Sequence, residues 1–287
     1  MKEVAVVTDS VACVPKELVD SYNIHVVPVN LVIDNRSYRD GIDISAAEVY
    51  ENLKRWKELP TTSAPSPGTF LEVFKDLSRQ TDSILCITLA SKLSAVFDSV
   101  CRGINLANKA IPHINIRVLD SRTATGAQGF VAVAAARSAA NGDPIDQVIL
   151  AAEKMRSRVH MVSMLDTMYY LAKGGRIPKA AAWVGSLLRI KPILQIKPDE
   201  GVVSPLDKPR TRRKGIERLI EILRERVGDE RLHVNIQHAN SLNEAEKLME
   251  RILSEFDCSE AYITDFTPVM GTHTGPGLLG LSFYCGE

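Results

Sequence analysis

Apolar, β-branched runs alternate with helix-forming stretches through the first half of the chain, and this alternation limits the fold more than any other feature. Val4-Ala5-Val6-Val7 reads as a strand, and Pro15 to Tyr22 as a short helix with its proline in the first turn. Ile24 to Ile33 is a long apolar run closed by the turn pair Asp34-Asn35. Ser45-Ala46-Ala47-Glu48 is a capping box that predicts a helix to about Leu59, and Ser66-Pro67 caps and opens the next. Ile84 to Leu89 reads as a buried strand, Leu93 to Lys109 as a helix and Ile114 to Leu119 as another strand. An alanine-rich helix follows from Gly126 to Ala140, suited to close packing. This rhythm argues for a mainly parallel sheet covered by helices on both faces.

The rhythm changes after a helix from Ile145 to Arg158, opened by Asp143-Pro144. Val159–Leu165, Ile190–Lys197, Leu232–Gln237, Ala261–Asp265 and Leu278–Tyr284 read as strands, with long helices only over Arg213–Val227 and Leu242–Phe256. Fewer crossovers per strand predict a mixed or largely antiparallel sheet. The expected architecture is therefore α/β in two domains, 1–158 and 159–287.

The bulk numbers exclude several classes of function. The chain has 35 basic and 35 acidic residues, so its charge gives no global pull toward nucleic acid or anionic membranes. No apolar stretch reaches the ~18 residues of a membrane span. Five scattered cysteines without C-x-x-C indicate neither a disulfide framework nor a zinc site, and cytoplasmic residence is the expectation. Gly275-Pro276-Gly277-Leu278-Leu279-Gly280 matches G-x-G-x-x-G in letters, but the fingerprint needs a helix after it and an acidic residue about 20 positions on, and neither is found here. A P-loop, a G-x-S-x-G elbow and an H-E-x-x-H pair are all missing. No metal or cofactor is expected.

What remains is a set of small hydroxyl-bearing segments. Gly271-Thr272-His273-Thr274-Gly275-Pro276-Gly277 holds glycines, hydroxyls and an imidazole with no carboxylate, lysine or arginine, and suits a small anion held by hydrogen bonds. Thr61-Thr62-Ser63-Ala64-Pro65-Ser66 and Ala90-Ser91-Lys92-Leu93-Ser94 each lead into a helix N-terminus, where anions are favoured. Thr8, Ser10, Thr88, Ser91 and Ser121 fall at the carboxyl ends of strands, the ligand edge of an open α/β sheet. Gly174-Gly175 ends a helix and delivers Arg176 at a fixed point. Arg210, Arg212, Arg213 and Lys214 gather at a helix start, where cations are unfavourable, which hints at an anionic partner.

These segments, in this order, resemble the DegV family of bacterial lipid-binding proteins. Thr8-Asp9-Ser10, Thr62-Ser63-Ala64-Pro65-Ser66, Ser91-Lys92-Leu93-Ser94, Leu119-Asp120-Ser121, Gly174-Gly175-Arg176-Ile177, Lys191-Pro192-Ile193-Leu194 and the Thr-His-Thr-Gly-Pro-Gly run carry the resemblance across nearly the whole chain. It implies two α/β domains with a long-chain fatty acid between them. It also implies presentation of the acid to a separate ATP-dependent fatty-acid kinase that makes an acyl phosphate. The family's carboxylate-holding groups would fall on Thr62, Ser94 and His273, with Arg176 nearby and Ser63 and Thr272 alongside. The usual Leu-Ser-Gly-Thr is Leu93-Ser94-Ala95-Val96 here, and Ala64 stands where glutamine is common.

A buried acyl tail gains about 0.8 kcal/mol per methylene, so the tail supplies most of the affinity. Val27, Val29, Phe97, Met161, Met164, Met168 and Ile193 are expected to line its slot. Two other functions are compatible with the residues: an acyl hydrolase or transferase using Ser94 or Ser121 with His273, or a lipid-responsive regulator whose basic cluster binds nucleic acid.

Overall fold

The computed structural model describes residues 4–53, 55–177, 190–197 and 199–286. Four strands make a wholly parallel sheet: β1 (Ala5–Asp9), β2 (His25–Val27), β6 (Ser83–Thr88) and β7 (Asn115–Asp120), in the order β2-β1-β6-β7. The run from Ile24 to Ile33 is not one strand. Pro28 cannot donate to a ladder, and the chain leaves the parallel sheet there. It continues as β3 (Asn30–Ile33), which pairs antiparallel with β4 (Arg36–Arg39) and β5 (Thr61–Ser63) in a small separate sheet. That small sheet is absent from the sequence reading.

Two helices of this half begin where their caps predict. In α2 (Ala46–Asn52) Ser45 and Glu48 form both bonds of the capping box, though the helix stops well short of Leu59. In α3 (Pro67–Leu77) the Ser66 hydroxyl accepts from Thr69 N at 3.1 Å. A short α1 (Lys16–Ser21) precedes them, and α4 (Val96–Ala110) follows β6. The alanine-rich segment is α5 (Thr125–Ala140), buried on nearly every side. Its small residues permit close approach: a Cβ on Gly129 would lie 2.6 Å from the Ala12 carbonyl oxygen, and one on Gly126 would lie 2.9 Å from Asn235 Nδ2.

After α6 (Ile145–Arg158) the chain builds a six-stranded mixed sheet from β8 (His160–Met164), β9 (Ile193–Ile196), β10 (Val203–Asp207), β11 (Leu232–His238), β12 (Cys258–Asp265) and β13 (Leu279–Cys285). Its order is β10-β9-β8-β13-β11-β12, and among the described strands only the β11–β12 pair is parallel. One face packs on α8 (Arg212–Val227) and α9 (Leu242–Glu255) through Met164, Ile193, Leu219 and Leu248. The other face turns toward α5 and the parallel sheet. Arg137 of α5 pairs with Glu260 of β12, which also accepts from His233 Nδ1 at 2.7 Å. Burial works against that carboxylate, but the hydrogen bonds from His233 and Arg137 outweigh it and hold its pKa at about 2. The tie fixes α5 against the mixed sheet. No helix among the described residues is long and apolar enough to cross a membrane.

Candidate functional site

A cavity of about 340 Å³ lies where the carboxyl end of the parallel sheet meets the mixed sheet. That is the end at which open α/β sheets bind ligands, and the volume falls within the roughly 300–1,000 Å³ of small-molecule sites. Val11, Leu89 and Leu93 follow β1 and β6 on one side, and Met161, Leu194 and Ile196 close the other. Asp9 pins the first wall: its carboxylate accepts from Val11 N at 3.1 Å and from Leu89 N at 2.8 Å. Burial pushes the Asp9 pKa up to about 7, against the pull of those bonds.

Polar residues of the cavity lining come from distant segments. Thr62 and Ser63 come from β5, Ser94 from the turn before α4, and His273 and Thr274 from α10 (Pro268–Thr274). Thr62 Oγ1 lies 3.0 Å from His273 Nε2. Burial, with the nearby Arg176 charge, lowers the His273 pKa to about 4, so the ring is neutral at pH 7. Arg176 follows α7 (Tyr169–Gly174), where Gly175 takes the left-handed conformation at φ 71° and ends the helix. Its guanidinium turns back to donate to the Gly174 carbonyl and also lines the cavity. Among the described residues no carboxylate pairs with it.

The structure corrects the expected anion-binding loop at 271–277. Residues 268–274 form a helix, capped by Thr267 with Pro268 in its first turn and stopped by Gly275 at φ 73°. Thr272 Oγ1 and Thr274 Oγ1 each donate 3.0 Å back to the carbonyl four residues earlier, Pro268 and Met270. Thr272 is buried and does not line the cavity. The glycines serve packing: a Cβ on Gly271 would lie 2.6 Å from the Tyr50 ring, and one on Gly275 would strike Tyr170. Across from His273, a Cβ on Gly174 would lie 2.6 Å from the ring's Nδ1. Asp40 anchors the helix start by accepting from Val269 N at 2.9 Å and Ser10 Oγ at 2.6 Å.

Other expected positions also move. Of the seven tail-lining candidates, Val29 and Met161 face the cavity, whereas Val27, Phe97, Met164, Met168 and Ile193 do not. Met164 pairs with Ile193 in register and Met161 with Ile196, so the two pairs face opposite sides of the sheet. Most of the hydroxyls at the strand ends are taken up within the protein: Thr8 donates to the Ile87 carbonyl, Ser10 and Ser91 to Asp40 and Asp120, and Ser121 to the Thr123 carbonyl. Ser121 does not line the cavity that His273 lines. Sequence reading missed Val11, Leu89, Leu93, Ala124 and Met270 as wall residues; their position just after strand ends or on the helix that carries His273 is the signal that marks them.

A second groove of about 620 Å³ shares Thr62, Arg176 and His273 with the cavity and extends outward past Trp56, Lys57, Tyr169 and Lys173. Thr62, Arg176 and His273 thus border both spaces, the outer one lined also by cations and aromatic rings. Arg212, from the basic cluster, is committed elsewhere: it pairs with Glu244 at 2.6 Å and donates to the Gly277 carbonyl at 2.7 Å. Among the described residues no His, Cys, Asp and Glu cluster could hold a metal ion.

Known proteins share this fold. DegV of Bacillus subtilis is 36% identical over 280 residues, covering 97% of this chain and 98% of that one. The crystal structure of DegV from Bacillus subtilis, described as a fatty acid binding protein, superposes with a TM-score of 0.89 at 35% identity, covering all of both chains. A DegV family protein from Thermus thermophilus, described by its fatty acid binding, gives a TM-score of 0.90 at 27% identity over 99% of each chain. A stearic acid-binding protein from Eubacterium ventriosum gives 0.88 at 25% identity over 98% of each. Their two-domain α/β fold is the fold described above, and the DegV family model matches residues 3–285. This chain belongs to the DegV family.

Proposed function

We propose that this protein binds a long-chain fatty acid in the cavity and presents its carboxylate to a separate ATP-dependent fatty-acid kinase. The observation that carries the reading is a mostly apolar cavity whose lining includes Thr62, Ser63, Ser94, His273 and Arg176, with Thr62 and His273 in contact at 3.0 Å. Burying a carboxylate without hydrogen-bond partners is prohibitive; the hydroxyls of Thr62, Ser63 and Ser94 and the Arg176 guanidinium can donate to it, with His273 orienting Thr62. With the His273 proton on Nε2, the ring donates to Thr62 Oγ1 and leaves the Thr62 hydroxyl hydrogen for the ligand. Arg176 offsets the charge from the side. The apolar wall takes the acyl chain.

A carboxylate held this way keeps one oxygen accessible from the outer groove. In the proposed reaction that oxygen attacks the γ-phosphorus of ATP held by the kinase, ADP leaves, and an acyl phosphate remains on this protein. No residue of the chain forms a covalent bond in that step. Lys57 and Lys173, on the rim of the groove, suit the incoming phosphate charge.

Mass spectrometry of a denatured extract of the purified protein tests the binding step, and a long-chain fatty acid near one per protein is expected. Addition of kinase and ATP to the loaded protein should then yield acyl phosphate. A lipid-free protein that also takes up no added long-chain acid would sink the proposal.

A further inference from the structure

A plain hydrocarbon tail leaves one group of the cavity wall without a use. Ser163, on β8, lines the cavity at 2% exposure. Among the described residues its hydroxyl makes one hydrogen-bond contact, with Met161 Sδ at 3.9 Å. A thioether is a weak acceptor. Among the described residues no oxygen or nitrogen reaches Ser163 Oγ.

The polar groups behind Ser163 do not account for it. In the sheet register Ser163 stands beside Gly280, and Gly280 beside Gln237. Gln237 Nε2 donates to the Asn235 carbonyl at 2.7 Å, and Gln237 Oε1 accepts from Ser282 Oγ at 3.0 Å. Ser282 Oγ also lies 3.3 Å from Thr125 Oγ1. That network closes on itself under the N-terminus of α5. Ser163 sits at its cavity end and is not bonded into it. Gly280 preserves the space, because a Cβ there would lie 2.8 Å from Ser163 Oγ.

A buried hydroxyl with only a sulfur contact is costly against methylene groups. The same hydroxyl gains a partner when the chain beside it carries an oxygen. We propose that Ser163 is a specificity-determining residue that selects acyl chains bearing a hydroxyl or keto oxygen along their length. This rests on the fatty-acid reading above and adds the class of acid. A serine retained only for its size would discriminate no better than alanine.

The test uses full-length protein freed of lipid, titrated by displacement of a fluorescent fatty acid. The probes are stearic acid and its positional hydroxystearic isomers. At least one isomer is expected to bind about tenfold tighter than stearic acid, the worth of one neutral hydrogen bond. Ser163→Ala should remove that preference and bind stearic acid more tightly than wild type, since its wall is wholly apolar at this point. Equal or weaker binding of every isomer by the wild type overturns the proposal, whether or not the variant folds. A preference that survives in Ser163→Ala overturns it too. Failure to bind any of the acids, stearic acid included, would instead overturn the fatty-acid reading itself.

Discussion

Thr62 Oγ1 and His273 Nε2 meet at 3.0 Å across 211 residues of sequence. The head of the cavity therefore exists only when the small antiparallel sheet and α10 are docked together. Each side chain is the other's hydrogen-bond partner, and both face the space assigned to the carboxylate. Thr62→Val and His273→Ala are each expected to weaken long-chain fatty acid binding by about 10- to 100-fold, the worth of a hydrogen bond to a charged group. Fluorescent displacement measures this. Affinity within twofold of wild type in both variants would remove the pair from the head-group site.

Gly174 sets the position of the same imidazole from behind. An added methyl would lie 2.6 Å from His273 Nδ1, closer than packing allows. Gly174→Ala is expected to push the ring off Thr62 and weaken binding by about tenfold, without unfolding a residue that already sits in helical geometry. Gly175 is different: no atom crowds it, but its φ of 71° strains any side chain. Gly175→Ala should cost about 1 kcal/mol of stability. Thermal melts beside binding curves separate the two; equal effects of both variants on affinity would contradict this division.

The parallel sheet, the mixed sheet and the capped helix starts were legible in the sequence because their signals are local. Periodicity marks a buried strand, and Ser45 with Glu48 or Ser66 with Pro67 marks a helix start, whatever lies across from them. The small sheet was not legible, because β5 is three polar residues that become a strand only by pairing with β3. The segment at 271–277 misled for a related reason. Its glycines and threonines carry loop propensity, but Tyr50, Tyr170 and the Asp40 anchor supply tertiary contacts that favour a helix. Thr62, Ser94 and His273 were named as one site through family resemblance, and the fold gathers them on one cavity. The tail wall was harder. Choosing between Met161 and Met164 requires knowing which face of β8 meets α8, and alternation alone does not say.

That pair of methionines gives a direct test of the two sides of the sheet. Met164 is fully buried against the helices α8 and α9, whereas Met161 lines the cavity. Met164→Ala is expected to lose about 2–4 kcal/mol of stability while keeping the order of preference among acids of different length. Met161→Trp is expected to shorten the slot, so that long acids lose more affinity than medium-chain ones. Urea denaturation and a chain-length series of acids read the two effects. A changed length preference in Met164→Ala, or none in Met161→Trp, would reverse the assignment of faces.

Asp9 and His273 should carry opposite pH dependences. Burial raises the Asp9 pKa to about 7, from about 4 in an unfolded chain. The folded state binds the extra proton between those values, so the Asp9 contribution is complete below about pH 4 and fades as pH rises through about 7. His273 is shifted down by burial and the Arg176 charge to about 4, from about 6.5 unfolded. There the unfolded state binds the extra proton, and stability is lost as pH falls from about 6.5 to about 4. The two trends offset each other in the wild type. Relative to it, Asp9→Asn should lose stability as pH falls from 7 to 4.5, and His273→Gln should gain it, each by a few kcal/mol at most. Urea titrations at the two pH values decide; curves parallel to wild type for both variants would show that neither shift is present.

The basic cluster at the start of α8 divides into two roles. Arg212 is bound into the molecule by Glu244, Asp166 and the Gly277 carbonyl, and Lys191 joins the same Asp166 at 2.6 Å. This network ties the start of α8 to the turn that follows α10. Arg210, Arg213 and Lys214 are exposed. If the kinase docks here, the exposed cations are what it can reach, and Arg212 is what keeps the surface in shape. Combined charge reversal of Arg213→Glu and Lys214→Glu is expected to cut kinase-dependent acyl phosphate formation by about tenfold or more at physiological salt, with the loss smaller at high salt. Fatty acid affinity should stay at the wild-type level. Arg212→Ala should instead lower stability and fatty acid affinity together, because it leaves Glu244 unpaired and frees the Gly277 turn beside the cavity wall at Leu278. Phosphorylation kinetics at two salt concentrations, run beside displacement titrations, separate these outcomes. Undiminished phosphorylation by the double charge-reversal variant would place the docking surface elsewhere, with the Lys57 and Lys173 rim of the outer groove as the next surface to probe.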